Sequence, residues 1–416
     1  MSVFVPFKAF RPKQESVKQV ACKPYDVLNA QEAKIESSGN ENSFYHVIKP
    51  EIDFHENFDP YASEIYKKGK ENFDSLVDNN ILFQDESASF YVYELTMDGH
   101  VQTGLVGCCS IDDYFNNVIK KHELTRPDKE EDRKNHVRAS KLNYEPVFLS
   151  YPKVEALDVI VDSVKSSESE YDFVADDGIR HRLWKVSDSN VINNIESLFQ
   201  SQVSSIYIAD GHHRTAAGAL VGREFRNGRN GTSGDGYRDN YVMAVLFPDN
   251  QLKILDYNRV IKDLNGLDHN QLLNEIGINF DIEPKNSAYH PEAAHSFGMY
   301  INNQWYKLTS KNGTYNDNDP VGQLDVTILS KNILEPIFNI VDLRKDKRID
   351  FVGGMRGLSE LERRVNNGDM KVAFSVFPVS MEQLINISDN DLIMPPKVTW
   401  FEPKLRSGLF VHNLDE

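Results

Sequence analysis

The stretch Asp210-Gly211-His212-His213-Arg214-Thr215-Ala216-Ala217 sets a carboxylate, two imidazoles and a guanidinium around one glycine, directly after the apolar run Ile206-Tyr207-Ile208-Ala209. An apolar run, then a glycine, then helix-forming residues reads as strand, turn and helix. The first N–H groups of such a helix lack intrahelical partners, and its aligned peptide dipoles place partial positive charge there. Gly211 lets an oxyanion approach the backbone, and Arg214 offers a fork that matches phosphate oxygens. Gly211, His212, His213, Arg214 and Thr215 therefore form a candidate cradle for a phosphate or pyrophosphate group. The same residues also make an ordinary helix start, with Asp210 as cap, Gly211 as turn and the charged groups in solvent. Zinc on His212 and His213 is not expected, because adjacent side chains point in different directions.

A second dense region runs from Lys120 through His122, Glu123, Thr125, Arg126, Asp128, Glu130 and Arg133 to Arg138. Thr125 is expected to cap a helix with acidic early turns and basic later ones, with Glu130 four residues before Lys134. An ion-paired solvated helix accounts for most of these charges. It accounts less well for His122 and Glu123, which precede the helix in a loop of the kind that displays site residues. The string is no HExxH metalloprotease motif, since Arg126 stands where the second histidine belongs. Glu123 reads instead as a general base or magnesium ligand, with Arg126 or Arg133 neutralising phosphate charge.

Near the end, Met394-Pro395-Pro396-Lys397-Val398-Thr399-Trp400-Phe401-Glu402-Pro403-Lys404 carries three prolines. They exclude a helix across the run and suggest an extended segment presenting Lys397 and Thr399, or an edge segment packing its aromatics. Pro24-Tyr25-Asp26 and Asp350-Phe351-Val352-Gly353-Gly354-Met355-Arg356-Gly357 are compact turns that also qualify as site material. The glycine string lacks the GxGxxG order and the strand and helix context of a Rossmann site. No GxxxxGK[ST] loop, kinase HRD or DFG set, or GxSxG elbow occurs.

The elements that must position these residues are mixed. Strand-like runs cover Phe90 to Leu95, Val101 to Cys109, Ser205 to Ala209, Tyr241 to Phe247 and Val372 to Pro378. Helix-like stretches cover Asp59 to Val77, Pro127 to Leu142, Thr215 to Phe225 and Val326 to Asn339. This predicts an α/β (mixed α+β) fold. Arg226 to Asn240, rich in Gly, Asn, Arg and Ser, is expected to be a mobile loop, either a surface insertion or a lid. Three parts are expected: 1–158 with His122-Glu123, 159–282 with the Asp210 turn, and 283–416 with the Pro-Pro-Lys run.

The 416 residues suffice for a full core, and 46 basic against 63 acidic residues give a formal charge of −17. That balance argues against nucleic acid or an anionic membrane as partner, so any anion site is a local basic patch. Cys22, Cys108 and Cys109 make no disulfide framework, which implies a reducing compartment. With no membrane-length apolar segment and no secretory h-region, a cytoplasmic protein is expected.

Pro24-Tyr25-Asp26, His122-Glu123 with Thr125, Asp132-Arg133, Asp210 to Arg214, Phe351 to Gly354, Met394 to Lys397 and Phe401 to Lys404 together resemble the bacterial and archaeal family catalogued as domain of unknown function 1015. Val398 departs from the serine of that family's MPPKS-T pattern. Asp210 to Arg214 also resembles the phosphate-binding turn of the ParB and sulfiredoxin superfamily, including its free-serine kinases. That resemblance implies a ParB/sulfiredoxin-like phosphate-binding core with N- and C-terminal elaborations. It also implies phosphorylation of L-serine to O-phosphoserine, with ATP, ADP or pyrophosphate as phosphoryl donor.

Under this reading Gly211, His212, His213, Arg214 and Thr215 cradle the donor, and Arg126, Arg133 and Lys397 meet the remaining phosphate charge. Asp210 and Glu123 hold Mg2+, Glu123 orients or deprotonates the acceptor hydroxyl, and His122 is a further catalytic candidate. Tyr25, Asp26, Thr125 and Thr399 are candidates for substrate contact. The rivals are a non-catalytic ParB-like nucleotide-binding regulator and a metal-dependent phosphate-ester hydrolase.

Overall fold

Aromatic and β-branched runs joined by tight polar turns build the first sheet of the protein, seen in a computed structural model that describes residues 1–229 and 236–415. Its nine strands are β1 (Phe4–Val5), β2 (Phe90–Met97), β3 (His100–Ser110), β4 (Ile119–Lys120), β5 (Val147–Tyr151), β6 (Tyr171–Val174), β7 (Arg180–Val186), β8 (Ile206–Asp210) and β9 (Tyr241–Pro248). They lie in the order β4-β8-β5-β9-β3-β2-β7-β6, with β1 paired to the end of β3. The β4–β8 and β5–β9 pairs are parallel, and the other pairs are antiparallel. β2 and β3 close at Asp98-Gly99, whose φ angles of 51° and 80° match the twist that a two-residue hairpin loop requires.

Helices α1 (Ser63–Asp78), α2 (Pro127–Ser140), α3 (Glu155–Lys165), α4 (Ser189–Gln202) and α5 (His212–Gly228) accompany this sheet, giving a mixed α/β fold. α5 carries the candidate turn at its start and packs against α2 and β9. Its buried face is made of Ala216, Ala217, Gly218, Ala219 and Gly222, so neighbouring backbone comes close. A Cβ at Gly218 would lie 2.8 Å from Val242, and one at Gly222 would lie 2.2 Å from the Asp239 carbonyl oxygen. The helix thus starts earlier than the expected Thr215 and ends later than Phe225. The segment expected as a loop over 226–240 begins as helix, has a 3-10 turn at Arg238–Asn240, and in part (230–235) falls outside the described residues.

Two compact units divide the chain: Met1–Leu252 with Pro403–Glu416, and Lys253–Glu402. The expected boundaries near 158 and 282 fall inside elements instead, within α3 and within β11 below, because composition does not change where the chain passes between units. The second unit holds a six-stranded antiparallel sheet. Its strands are β10 (Tyr257–Ile261), β11 (Phe280–Lys285), β12 (Ser296–Ile301), β13 (Gln304–Ser310), β14 (Ile349–Gly353) and β15 (Val372–Val376), in the order β11-β13-β12-β15-β10-β14. The glycine string does lie between a strand, β14, and a helix, α6 (Gly357–Asn366), contrary to the sequence reading, but in an antiparallel sheet.

The helix expected over Val326 to Asn339 is α-helical only at Asp325–Leu329 and continues as a π-turn over Ser330–Leu334. Pro336 lacks an N–H and cannot extend the helical ladder. Around the three prolines near the end no helix forms, and Phe401–Glu402 pairs with Lys253–Ile254. The three cysteines are buried and unbonded. Among the described residues no helix is long and apolar enough to cross a membrane.

Replacing Gly222 by alanine is expected to cost about 2 to 3 kcal/mol, because a methyl group would be driven into backbone that cannot swing aside. Gly228→Ala, with nothing near its new methyl group, should leave stability unchanged or slightly raised. Equilibrium urea unfolding of the two variants compares them, and equal effects would contradict the close approach of α5.

Candidate anion-binding site

β8 ends at Asp210, and Gly211 turns the chain with φ 92° and ψ 35°, a left-handed conformation that glycine adopts without strain. α5 then begins at His212, and both the N–H and the hydroxyl of Thr215 donate to the Gly211 carbonyl, at 2.9 and 3.0 Å. Strand, glycine and helix are therefore arranged as the sequence predicts. The parallel register of β4 on β8, Ile119 opposite Ile206 and Lys120 opposite Tyr207, carries the following His122-Glu123 loop toward the same turn.

The Arg214 side chain folds back over Gly211, where a Cβ would lie 3.0 Å from its Nε. Nη1 donates to the Pro146 carbonyl at 2.9 Å, Nη2 is 4.0 Å from Asp26, and the buried Nε has no protein partner. Loss of solvent works against this charge, but Asp26, Glu145 and Asp210 outweigh it and hold the guanidinium more firmly protonated than usual. Gly211 N–H donates to Asp210 Oδ1 at 2.9 Å, and Lys404 Nζ donates to Oδ2 at 2.8 Å. Loss of solvent pushes the Asp210 carboxyl up, yet the charges of Lys404 and Arg214 hold it well below the ordinary carboxylate range.

Tyr25 and Asp26 join the same cluster. The Tyr25 N–H donates to Glu145 Oε1 at 3.1 Å, and the Tyr25 ring lies 4.0 Å beneath the Arg133 guanidinium. Arg133 is paired with Asp132 at 2.7 Å, so its charge is already offset. Ser407 donates to Glu145 at 2.7 Å, which ties the C-terminal segment to this group.

The histidines differ in role. His122 and His212 meet edge to face with ring centroids 4.5 Å apart, and neither His122 ring nitrogen nor His212 Nε2 has a protein partner. Burial drives the His122 imidazole down to about 4 against the pull of Asp210, and burial with the neighbouring His122 drives His212 well below its usual value. Both rings are neutral at pH 7. His213 Nε2 accepts the Arg126 N–H at 3.0 Å, which places the proton of the neutral ring on Nδ1.

Tyr25, Asp26, His122, Asp210, Gly211, His212, His213, Arg214, Thr215 and Arg133 thus come together, and Glu123 sits on the loop that His122 anchors. Arg126 contributes its backbone only: its guanidinium is exposed and paired with Asp128 at 2.8 Å. Thr125 is not the helix cap. Pro127 takes the first helical position, Arg126 becomes the capping residue, and the Thr125 hydroxyl donates to Glu130 at 2.6 Å. Lys134 pairs with Glu131 rather than Glu130. Lys397 and Thr399 belong to the second unit.

The sequence reading assigned no role to Lys404 or Glu145. Lys404 closes a motif quoted above, but its partner lies 194 residues away. Asp210 accepts one donor on each oxygen, Gly211 N–H on Oδ1 and Lys404 on Oδ2, and keeps further lone pairs. Among the described residues no group of three or more His, Cys, Asp or Glu side chains is placed to hold a metal. In class this is a strand–glycine–helix turn with a buried guanidinium folded over the glycine.

The chain belongs to the family described as protein of unknown function (DUF1015), which it matches over residues 4–327. No curated protein matches it. Solved structures similar to it include a free serine kinase mutant in complex with AMP, at 12% identity and TM-score 0.35, covering 70% of this chain and 85% of that one. A conserved hypothetical protein from Pyrococcus furiosus aligns at 13% identity and TM-score 0.35, covering 74% of this chain and 94% of that one. SbnI with a C-terminal truncation, from Staphylococcus aureus, aligns at 12% identity and TM-score 0.38, covering 74% and 87%.

The burial of His122 has a pH signature. Between the unfolded value of about 6.5 and the folded value of about 4, the unfolded chain binds the extra proton, so stability falls as pH drops through this window, by up to about 1.4 kcal/mol per pH unit for this one ring. His122→Gln should remove that share of the slope, read from urea midpoints taken between pH 7 and pH 4. An unchanged slope would mean that solvent reaches the ring.

Proposed function

We propose that this protein is a small-molecule kinase that transfers a phosphoryl group to the hydroxyl of L-serine, with pyrophosphate, ATP or ADP as donor. The observation that carries the reading is the buried Arg214 guanidinium, folded over Gly211 at the start of a 17-residue helix with an unpartnered Nε–H. Oriented N–H groups, a helix dipole and a fixed guanidinium in one water-poor place are what a terminal phosphate needs. Phosphoryl transfer asks the protein mainly for alignment and charge neutralisation.

In this reading the donor phosphates lie on the first turn of α5 against Arg214 and His213. Neutral His122 and His212 hydrogen-bond without adding charge. Lys404, held by Asp210, stands beside the turn as a second cation. The serine oxygen attacks the terminal phosphorus, the bond to the bridging oxygen breaks, and the hydroxyl proton passes to the Glu123 carboxylate as general base. Magnesium belongs to the proposal only as a companion of the donor phosphates, and no step is assigned to it. Lys397 and Thr399 belong to the second unit and have no part in this proposal.

One observation serves the rival regulatory reading equally. Asp210 accepts from Lys404 and Gly211, a pairing that fixes the turn for holding an anion whether or not the anion reacts. A metal-dependent hydrolase finds no comparable support.

Phosphorus NMR of the protein with magnesium and L-serine, given ATP, ADP and pyrophosphate separately beside controls without serine, decides among them. O-phosphoserine in one tube is expected, and Arg214→Gln should lower kcat/KM by about 100-fold or more. Full turnover by Glu123→Gln would remove the base assignment. A donor that binds without yielding product would leave the regulator, and phosphate released without serine would mark the hydrolase.

A further inference from the structure

Arg259, at the centre of β10 between β14 and β15, is fully buried. Its Nη1 donates to the Tyr257 carbonyl and its Nη2 to the Lys397 carbonyl at 2.9 Å, while Nε has no partner. No carboxylate among the described residues neutralises it, and burial pulls the guanidinium down to about 10. A guanidinium has five N–H donors. Two neutral carbonyls leave both donors and charge uncompensated, and an unpaired buried charge is costly unless something completes it.

The surroundings of Arg259 are built from the Asp350 to Gly357 string and the run from Met394 to Trp400. Phe351 lies 5.4 Å beneath the guanidinium. A Cβ at Gly353 would lie 3.0 Å from the Trp400 ring, and one at Gly354 would lie 2.3 Å from Asp256 Oδ1. Asp256, the acidic neighbour in sequence, is turned to Asn258 and to His290 Nε2, 3.5 Å away. Lys397 takes the left-handed φ of 60°, rare for a residue with a side chain, and its Nζ stands 5.5 Å from the Tyr257 ring. Two cations and two glycine contacts thus gather around Tyr257 in one unit.

We propose that the second unit holds an oxyanion site of its own, in which Arg259 and Lys397 take a small phosphate or carboxylate group. The anion completes the free N–H groups of Arg259, and its entry requires the Lys397 segment, held by the Arg259 bond to its carbonyl, to yield. The site does not depend on the kinase reading, which rests on Arg214 in the first unit.

Calorimetric titration of the full chain with inorganic phosphate, and separately with acetate, tests it in wild type, Arg214→Gln, Arg259→Met and Lys397→Ala proteins. Arg214→Gln should keep one saturable site for at least one of the two anions. Adding Arg259→Met should weaken that site about tenfold or more, and Lys397→Ala several-fold. Phosphate alone or acetate alone would name the source of the group. Loss of all binding in Arg214→Gln, or binding indifferent to both second-unit substitutions, would overturn the proposal. Retention in Arg214→Gln without turnover would uphold the second site while removing the first reading. Lys397 is exposed, so its variant remains informative if Arg259→Met does not fold.

Discussion

The ion pair between Asp210 and Lys404 is the constraint on which the first unit turns. A carboxylate at the end of β8 has lost much of its water, and it remains charged because one cation arrives from the following helical turn and another from the far end of the chain. Remove either and the strand ends in a poorly solvated charge. The C-terminal segment is held for this task by further contacts, Ser407 on Glu145 and Val411 on Phe10. Glu145 in turn receives the Tyr25 N–H, so the Pro24-Tyr25-Asp26 turn and the Asp210 turn are fixed through one buried carboxylate.

An acidic protein of this kind can hold an anion only where its own carboxylates are spent. Three of them are paired here: Asp132 with Arg133, Asp128 with Arg126, Asp210 with Lys404. Arg214 differs, since its nearest acid is 4.0 Å off and one of its N–H groups is unclaimed. Histidines kept neutral by burial contribute shape and hydrogen-bonding capacity without tipping the balance further positive. The cationic cluster is local, set in a chain whose formal charge is −17.

Much of this was legible in residue order. The apolar run before Gly211 and the small residues after it announce β8 and α5, because strand and helix periodicities meet at one glycine. The hairpin strands and α2 were legible for the same reason. The cap of α2 was misread because Thr125 competes with Pro127, and the proline's fixed φ decides the first turn. The division into units escaped because a chain that leaves one unit at Leu252 and returns at Pro403 shows no shift in composition at either crossing. Lys404 and Arg259 escaped for a common reason: each matters through a partner, or the lack of one, that only the folded chain defines.

That excursion of the chain has a bearing on how the protein comes into being. Domains fold as they leave the ribosome, N-terminal portions first. Here the first unit emerges with β8, the glycine turn and Arg214 in place but without the lysine that balances Asp210. It waits for residues 253–402 to be made before the last segment can dock. A nascent chain released before Lys404 carries every residue of the Asp210 turn and still lacks the cation that balances its carboxylate.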